Sequence, residues 1–243
     1  MELTGKVALV TGSGRRVGQA IAAGLASRGM TLALHHHHST RGAEQLRADI
    51  LRQGGKAERF PADLTDPHVA AELPARVAEH FGRLDVLINS AGIMKSARVE
   101  ETTPVVWDEI MNVNLRACFF CAQGALPLLR ATRGKIVNLA DIGGQEAWPR
   151  YAAHCISKAG VDMLTRVLAR AGAPEVTVNA VAPGAVLIPE EWDSEATEHL
   201  TRTTPLARLG DPADVVSAIL YLLEGGDYVT GTTVVVDGGR LIR

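Results

Sequence analysis

Little in the chain would divide it or send it elsewhere. Aromatic residues make up only 4% of its 243 positions, and cysteine occurs three times, as Cys118, Cys121 and Cys155. That is neither a disulfide framework nor a zinc motif. Cys118 and Cys121 have the spacing of a redox pair, but they lie in an apolar, helix-like run where core filler is the better reading. No Pro/Ser-rich linker, charge block, repeat or low-complexity tract interrupts the chain, so residues 1–243 read as a single domain. A formal net charge of −2 lacks the basic excess that nucleic acid or an anionic membrane would demand. No apolar stretch is long enough to span a bilayer, and Met1 to Lys6 is too polar for a signal peptide, which points to the cytoplasm and a small-molecule partner.

What is present is alternation. Runs of β-branched and aliphatic residues recur at Val7–Val10, Thr31–Leu34, Val86–Ile88, Lys135–Leu139, Val176–Val181 and Thr232–Val236, with segments of helical length between them. This predicts an α/β fold with a doubly wound parallel sheet and helices on both faces. Ligands of such sheets sit beyond the carboxyl ends of the strands, so residues that follow strands carry the functional argument. After the first strand come Thr11, Gly12, Ser13, Gly14, Arg15, Arg16, Val17 and Gly18, and from Gln19 to Leu25 the composition is helical. A strand, a glycine-rich turn and a helix let backbone N–H groups and a helix N-terminus meet the pyrophosphate of a dinucleotide.

The second strand runs into His35, His36, His37, His38, Ser39, Thr40 and Arg41. Consecutive side chains of an extended segment alternate faces and cannot all ligate one metal. No Asp or Glu stands where an NAD ribose would be bound. Arg15, Arg16, His37, His38, Ser39 and Arg41 instead suggest a pocket for the 2′-phosphate of NADP, the alternative being a solvated polar turn. Asp63 and Leu64 are read as following the third strand, with Asp63 accepting from an adenine amino group or capping a helix before Pro67. Asn89, Ser90, Ala91 and Gly92 follow the fourth. Asn114 is polar within the helical run Pro104 to Leu129 and needs a specific partner. The fifth strand ends in Asn138, Leu139, Ala140 and Asp141. A helix from near Tyr151 then carries His154 and Lys158 on one face. Beyond Pro183 and Gly184, the polar segment Pro189 to Thr204 looks like a substrate lid, and Asp211 with Pro212 starts the last helix.

Taken together, the Thr-Gly loop, Asp63-Leu64, Asn89 to Gly92, Asn114, Lys158 and Pro183-Gly184 resemble the short-chain dehydrogenase/reductase family over essentially the whole chain. Within it the sequence looks most like the pteridine reductases, bacterial branch. The features that carry this are Arg16 in place of the middle glycine, the His-rich turn ending in Ser39, Asp141 where relatives usually have serine, and the segment Val178 to Glu190. The resemblance implies a Rossmann fold, NADPH, a homotetramer, and reduction of a dihydropterin or dihydrofolate. Cofactor contacts carry over to Gly12, Ser13, Arg15, Arg16, Val17, His36, His37, His38, Ser39, Asp63, Leu64, Asn89, Ala91, Gly92, Lys158, Pro183, Gly184 and Val186. The catalytic set carries over to Asn114, Asp141, His154 and Lys158. Substrate contacts carry over to Met94, Asp141, Tyr151 and His154. No metal is implied.

Two departures stand out. The family pattern Tyr-x-x-x-Lys has His154 in the tyrosine position, and Tyr151, a rise of about 10.5 Å from Lys158 along a helix, lines the substrate pocket or packs instead. Met94 stands where pteridine reductases stack an aromatic on the pterin. An imidazolium is a stronger acid than a phenol; the Lys158 ammonium disfavours the charged ring and Asp141 favours it. A C=N bond can take its proton from water, so imine reduction survives loss of the tyrosine better than ketone reduction does. The expectation is an NADPH-dependent reductase in which Lys158 orients the ribose, His154 donates or relays a proton, and Asp141 positions substrate or water. The alternatives are a carbonyl reductase of a non-pterin substrate and a catalytically impaired dinucleotide-binding protein. The phosphate-pocket expectation is checked by steady-state kinetics: KM for NADPH should lie below KM for NADH, and a clear NADH preference would remove it.

Overall fold

Residues 1–186 and 194–242 are described by the computed structural model. Seven parallel strands form one sheet: β1 (Val7–Val10), β2 (Thr31–His36), β3 (Lys56–Pro61), β4 (Val86–Asn89), β5 (Lys135–Leu139), β6 (Thr177–Pro183) and β7 (Thr233–Val236), in the order β3-β2-β1-β4-β5-β6-β7. Helices α1 (Arg16–Ser27), α2 (Thr40–Arg52), α3 (Pro67–Phe81), α4 (Pro104–Met111), α5 (Ala117–Thr132), α6 (Ala152–Gly172), α7 (Ser194–Thr203) and α8 (Pro212–Glu224) connect them. Because both faces of a parallel sheet are covered, its strands read as unbroken apolar runs. Along β1, Ala8 and Val10 pack with α1, α2 and α8, while Val7 and Leu9 pack with α3, α5 and α6. This is the doubly wound arrangement that the sequence predicts.

The exception is β3, Lys-Ala-Glu-Arg-Phe-Pro, which no aliphatic run marks. It is an edge strand, and edge strands commonly carry charge and proline that discourage further pairing. Pairing of β3 with β2 in the register His35↔Phe60 and His36↔Pro61 sets Ala62 and Asp63 beside the histidine run. Asp66, not Asp63, caps α3: its carboxylate accepts from the N–H groups of His68 and Val69, with Pro67 at the first helical position. Asp211 and Pro212 start α8 in the same way, as the sequence predicts.

The run Pro104 to Leu129 is not one uniform helix. Between α4 and α5 lies a π-helical segment, Asn112–Arg116, with Asn114 buried inside it. Cys118 and Cys121 are free and buried in α5, as core filler would be. Burial pushes the Cys118 thiol up to about 12 and raises Cys121 further, so neither is a ready thiolate.

A polar chain crosses this otherwise apolar layer. Asn89 Nδ2 donates to Asn138 Oδ1 at 3.0 Å, and Asn138 Nδ2 donates to Thr165 Oγ1 at 2.9 Å, so β4, β5 and α6 are joined through the side chain of Asn138. Removing the middle member opens a cavity and takes one partner from each neighbour, leaving Asn89 only Cys118 O at 3.4 Å and Thr165 Oγ1 only Val161 O at 2.8 Å. Asn138→Ala should lower the unfolding free energy by about 2–4 kcal/mol in urea titrations.

Candidate active site

The turn after β1 is fixed from both sides. Thr11 Oγ1 accepts from the N–H groups of Ser90 and Ala91 at 2.9 and 3.0 Å, which seals the turn against the end of β4. The order of the sheet reverses at this pair of strands, where open α/β sheets place their ligands. Glycine is obligatory at two positions. Gly12 has φ +69 and a Cβ there would lie 2.9 Å from Ala91 Cα, and a Cβ at Gly18 would lie 2.4 Å from the Gly12 carbonyl oxygen. Arg16 adopts φ +52, a left-handed conformation that suits glycine better, while Arg15 before it is extended and no side chain caps α1.

On the other side stands a residue outside the predicted contacts, His35. The Gly12 N–H donates to its Nδ1 at 3.0 Å, so in the neutral ring the proton is on Nε2, which donates to the Ala62 carbonyl at 3.1 Å. Its backbone oxygen accepts from Ser13 N and from Ser13 Oγ, which spends the Ser13 side chain on the fold. Burial lowers the pKa of His35 from 6.5 to about 4. His35 and His36 are the last two residues of β2 and both are buried, so nothing in the run itself marks which of them meets Gly12.

The predicted phosphate pocket assembles in part. Ser39 lies against Gly14, where a Cβ would meet Ser39 Oγ at 2.2 Å, so the glycine turn and the β2–α2 turn are in contact. His37 and His38 are exposed, with ring centroids 3.7 Å apart, and His37 Nδ1 is 3.9 Å from Asp63 Oδ1. His36 is buried instead, and its Nε2 has no hydrogen-bond partner among the described residues. Asp63 accepts from Thr65 N and Thr65 Oγ1, bonds that hold its carboxyl below the usual range. Val17, Leu64 and Val186 pack into the core, and Asn89 turns its side chain inward to Asn138. These four, with Ala91, can offer a ligand backbone more readily than side chain. Gly184 follows β6 at a close approach, its would-be Cβ 2.8 Å from Asp237 Cβ.

The predicted chemical set does come together. Asn114 is fully engaged: Oδ1 accepts from Ile93 N at 2.8 Å, and Nδ2 donates to Ile93 O at 2.9 Å and to Ser157 Oγ at 3.1 Å. The π turn aims it there. Lys158 is buried and donates to Leu139 O at 2.6 Å. Burial lowers its pKa and the Asp141 carboxylate partly offsets that. His154 is buried too. Its Nδ1 donates to Ile93 O at 3.3 Å, while Nε2 has no hydrogen bond among the described residues and lies 3.7 Å from Asp141 Oδ2. Asp141 Oδ1 accepts from Gly143 N at 2.7 Å, which aims the other oxygen at the imidazole. Tyr151 immediately precedes α6, and Met94 is 44% exposed after β4. Of the expected lid, residues 189–193 lie outside the described residues, and α7 forms most of its remainder.

The residues fit a dinucleotide. Glycine at 92 leaves open the space beside Lys158, since a Cβ there would stand 3.5 Å from Asn114 Oδ1 and 3.8 Å from Lys158 Nζ. Comparison with known proteins agrees. A family model described as enoyl-(acyl carrier protein) reductase matches residues 12–240. Versicolorin reductase of Emericella nidulans is 34% identical over 253 residues, covering 98% of this chain and 96% of its own. The 3-oxoacyl-(acyl-carrier-protein) reductase of Staphylococcus aureus is 35% identical over 244 residues, covering 98% and 99%. A solved chain from Sinorhizobium meliloti, described as a short-chain alcohol dehydrogenase, superimposes with a TM-score of 0.94 at 31% identity, covering 99% of this chain and 98% of its own. None of the three is named for a pterin.

The state of His35 gives a pH dependence. The unfolded chain takes up its proton near 6.5 and the folded one only near 4, so this stabilisation is complete above pH 6.5 and is lost as pH falls toward 4. The loss should reach about 3 kcal/mol. Urea unfolding at neutral and acid pH checks it, and His35→Leu should flatten that part of the profile while lowering stability at pH 7.

Proposed function

The chain belongs to the short-chain dehydrogenase/reductase family, whose members are nicotinamide-dependent oxidoreductases, and on that premise we propose an NADPH-dependent reductase of a dihydropterin- or dihydrofolate-like C=N bond. Bound NADPH supplies the hydride. NADPH is favoured over NADH by exposed His37 and His38, by Ser39 against the glycine turn, and by the lack of an acid at the end of β2. Lys158, fixed at Leu139 O, orients the ribose with its remaining N–H groups. Asn114 holds the Ile93 backbone and through it the His154 ring.

One observation carries the choice of bond: the Asp141 carboxylate stands 3.7 Å from the only His154 nitrogen left for a substrate. A unit charge ~4 Å from a carboxylate feels about 4 kcal/mol at an effective dielectric of ~20. That sign favours a protonated imine, which loses its positive charge as hydride arrives, and opposes a developing alkoxide. His154, with Nδ1–H given to Ile93 O, has an acceptor at Nε2 in the neutral ring, and it donates or relays a proton from that atom once Nε2 has itself been protonated. Ketone reduction is the second reading, favoured by the names of the oxoacyl and versicolorin relatives and by Met94 in place of an aromatic.

The exposed apolar residues Val105 of α4, Phe119 of α5, and Ile156, Met163 and Val167 of α6 support a homotetramer as part of the proposal. The activity is tested by NADPH oxidation with dihydrobiopterin, dihydrofolate and a panel of ketones. Imine substrates should be turned over at a rate that rises with acidity, and His154→Phe should cost ~10²-fold in kcat. Full activity of His154→Phe would remove the donor role. Ketone turnover in wild type would favour the second reading, a gain of ketone turnover only in His154→Tyr would identify the phenol as the missing part, and tight NADPH binding without turnover would indicate a sensor.

A further inference from the structure

Trp148 lies in the loop between β5 and α6. It lies on Gly143, where a Cβ would stand 2.8 Å from Trp148 Cζ3 and 3.1 Å from Asp141 Oδ1, so the indole edge and the carboxylate meet at one backbone position. Its ring is parallel to that of His154, at 4° with centroids 6.4 Å apart, and the Tyr151 ring stands edge-on to it at 6.3 Å. The indole Nε1 is buried and has no hydrogen bond among the described residues, and the same is true of His154 Nε2. Buried polar atoms are rarely left so, because the cost of desolvating them goes unrecovered. The indole N–H is a donor and His154 Nε2, with the ring proton on Nδ1, is an acceptor in the neutral ring, so two such nitrogens on adjacent parallel rings match a flat ligand that brings an acceptor for the one and a donor for the other.

The indole is held from the far end of the chain. Arg240 opens a C-terminal 3-10 turn, Arg240–Ile242, and its Cζ lies 5.8 Å from the Trp148 ring centre. Its Nε lies 3.9 Å from Glu146 Oε2. That turn is braced by Asp237, whose carboxylate accepts from Gly239 N and Leu241 N, each at 2.8 Å. A guanidinium over an indole face is held by the ring quadrupole, so Arg240 restricts the tilt of Trp148.

We infer that Trp148 is a substrate-contacting residue whose N–H donates to an acceptor on a planar, conjugated substrate held beside Asp141 and His154, and that Arg240 is a positioning residue acting through it. This rests on the reductase reading of the site and narrows it to flat substrates. The test is calorimetry on the protein saturated with NADP+, which cannot turn over, with dihydrobiopterin, dihydrofolate and a linear acetoacetyl thioester as probes. A flat probe should bind wild type. Trp148→Phe keeps a ring but loses the N–H and should weaken binding about fivefold, and Trp148→Leu should weaken it by more than about tenfold. Arg240→Met should weaken it about threefold with NADP+ affinity unchanged, and Arg240→Lys should recover most of that loss. Unchanged affinity in both Trp148 variants while Asp141→Asn weakens binding would overturn the inference and leave the reductase reading standing. Tighter binding of the linear thioester than of the flat probes would do the same. Tight NADP+ with no probe bound by wild type would overturn both. Should Trp148→Leu lose NADP+ binding through misfolding, Trp148→Phe and the Arg240 pair carry the comparison.

Discussion

One neutral imidazole holds the Gly12 N–H on one side and the Ala62 carbonyl on the other, and the nucleotide end of the molecule is built around that bridge. The turn after β1 has no regular structure to fix it, because glycine at 12 and 18 is there to avoid clashes and adds no restraint of its own. His35 supplies the restraint, and Thr11 supplies its counterpart toward β4. The strand ends of β1, β2, β3 and β4 therefore move as one unit. An uncharged ring is the right group for this, since it offers one acceptor and one donor in line without placing a cation in the interior.

The chemical half of the site is organised by a second bridge. Asn114 grips the Ile93 backbone with both ends of its amide, and the carbonyl it holds is the one that orients His154. Ser157 closes the circuit by accepting from Asn114 and donating to the His154 carbonyl at 2.7 Å. A ring held this way has one free nitrogen and one direction in which to use it.

How much of this was legible in the sequence depended on periodicity. The five central strands, buried on both faces, and the edge strand β7 were legible as aliphatic runs, and the four-residue spacing of His154 and Lys158 correctly put both on the inner side of α6. Asn114 was legible because a lone amide among apolar neighbours must have partners. The strand β3 was missing from the runs because only Ala57 and Phe60 of its six residues are buried, and charged residues and a proline fill the rest. In the histidine run the letters are identical: His35 and His36 end β2 and are both buried because the sheet is covered on both faces, whereas His37 and His38 lie beyond the strand and face solvent. Trp148 and Arg240 could not be paired from sequence: 92 positions separate them, and no local pattern encodes a contact made through the tertiary path of the chain.

The π segment Asn112–Arg116 has a consequence for how this fold can vary. It amounts to a surplus residue wedged into an otherwise continuous rod, and it lets the halves on either side keep separate phases, α4 against α6 and α5 mainly against α3. The Asn114 amide, which holds Ile93 and through it the His154 ring, sits at that phase slip. Shortening the rod by one position would leave a sound helix and an intact core, yet would rotate Asn114 about 100° away from Ile93. Loss of chemistry with the scaffold retained is thus a single deletion away in this architecture.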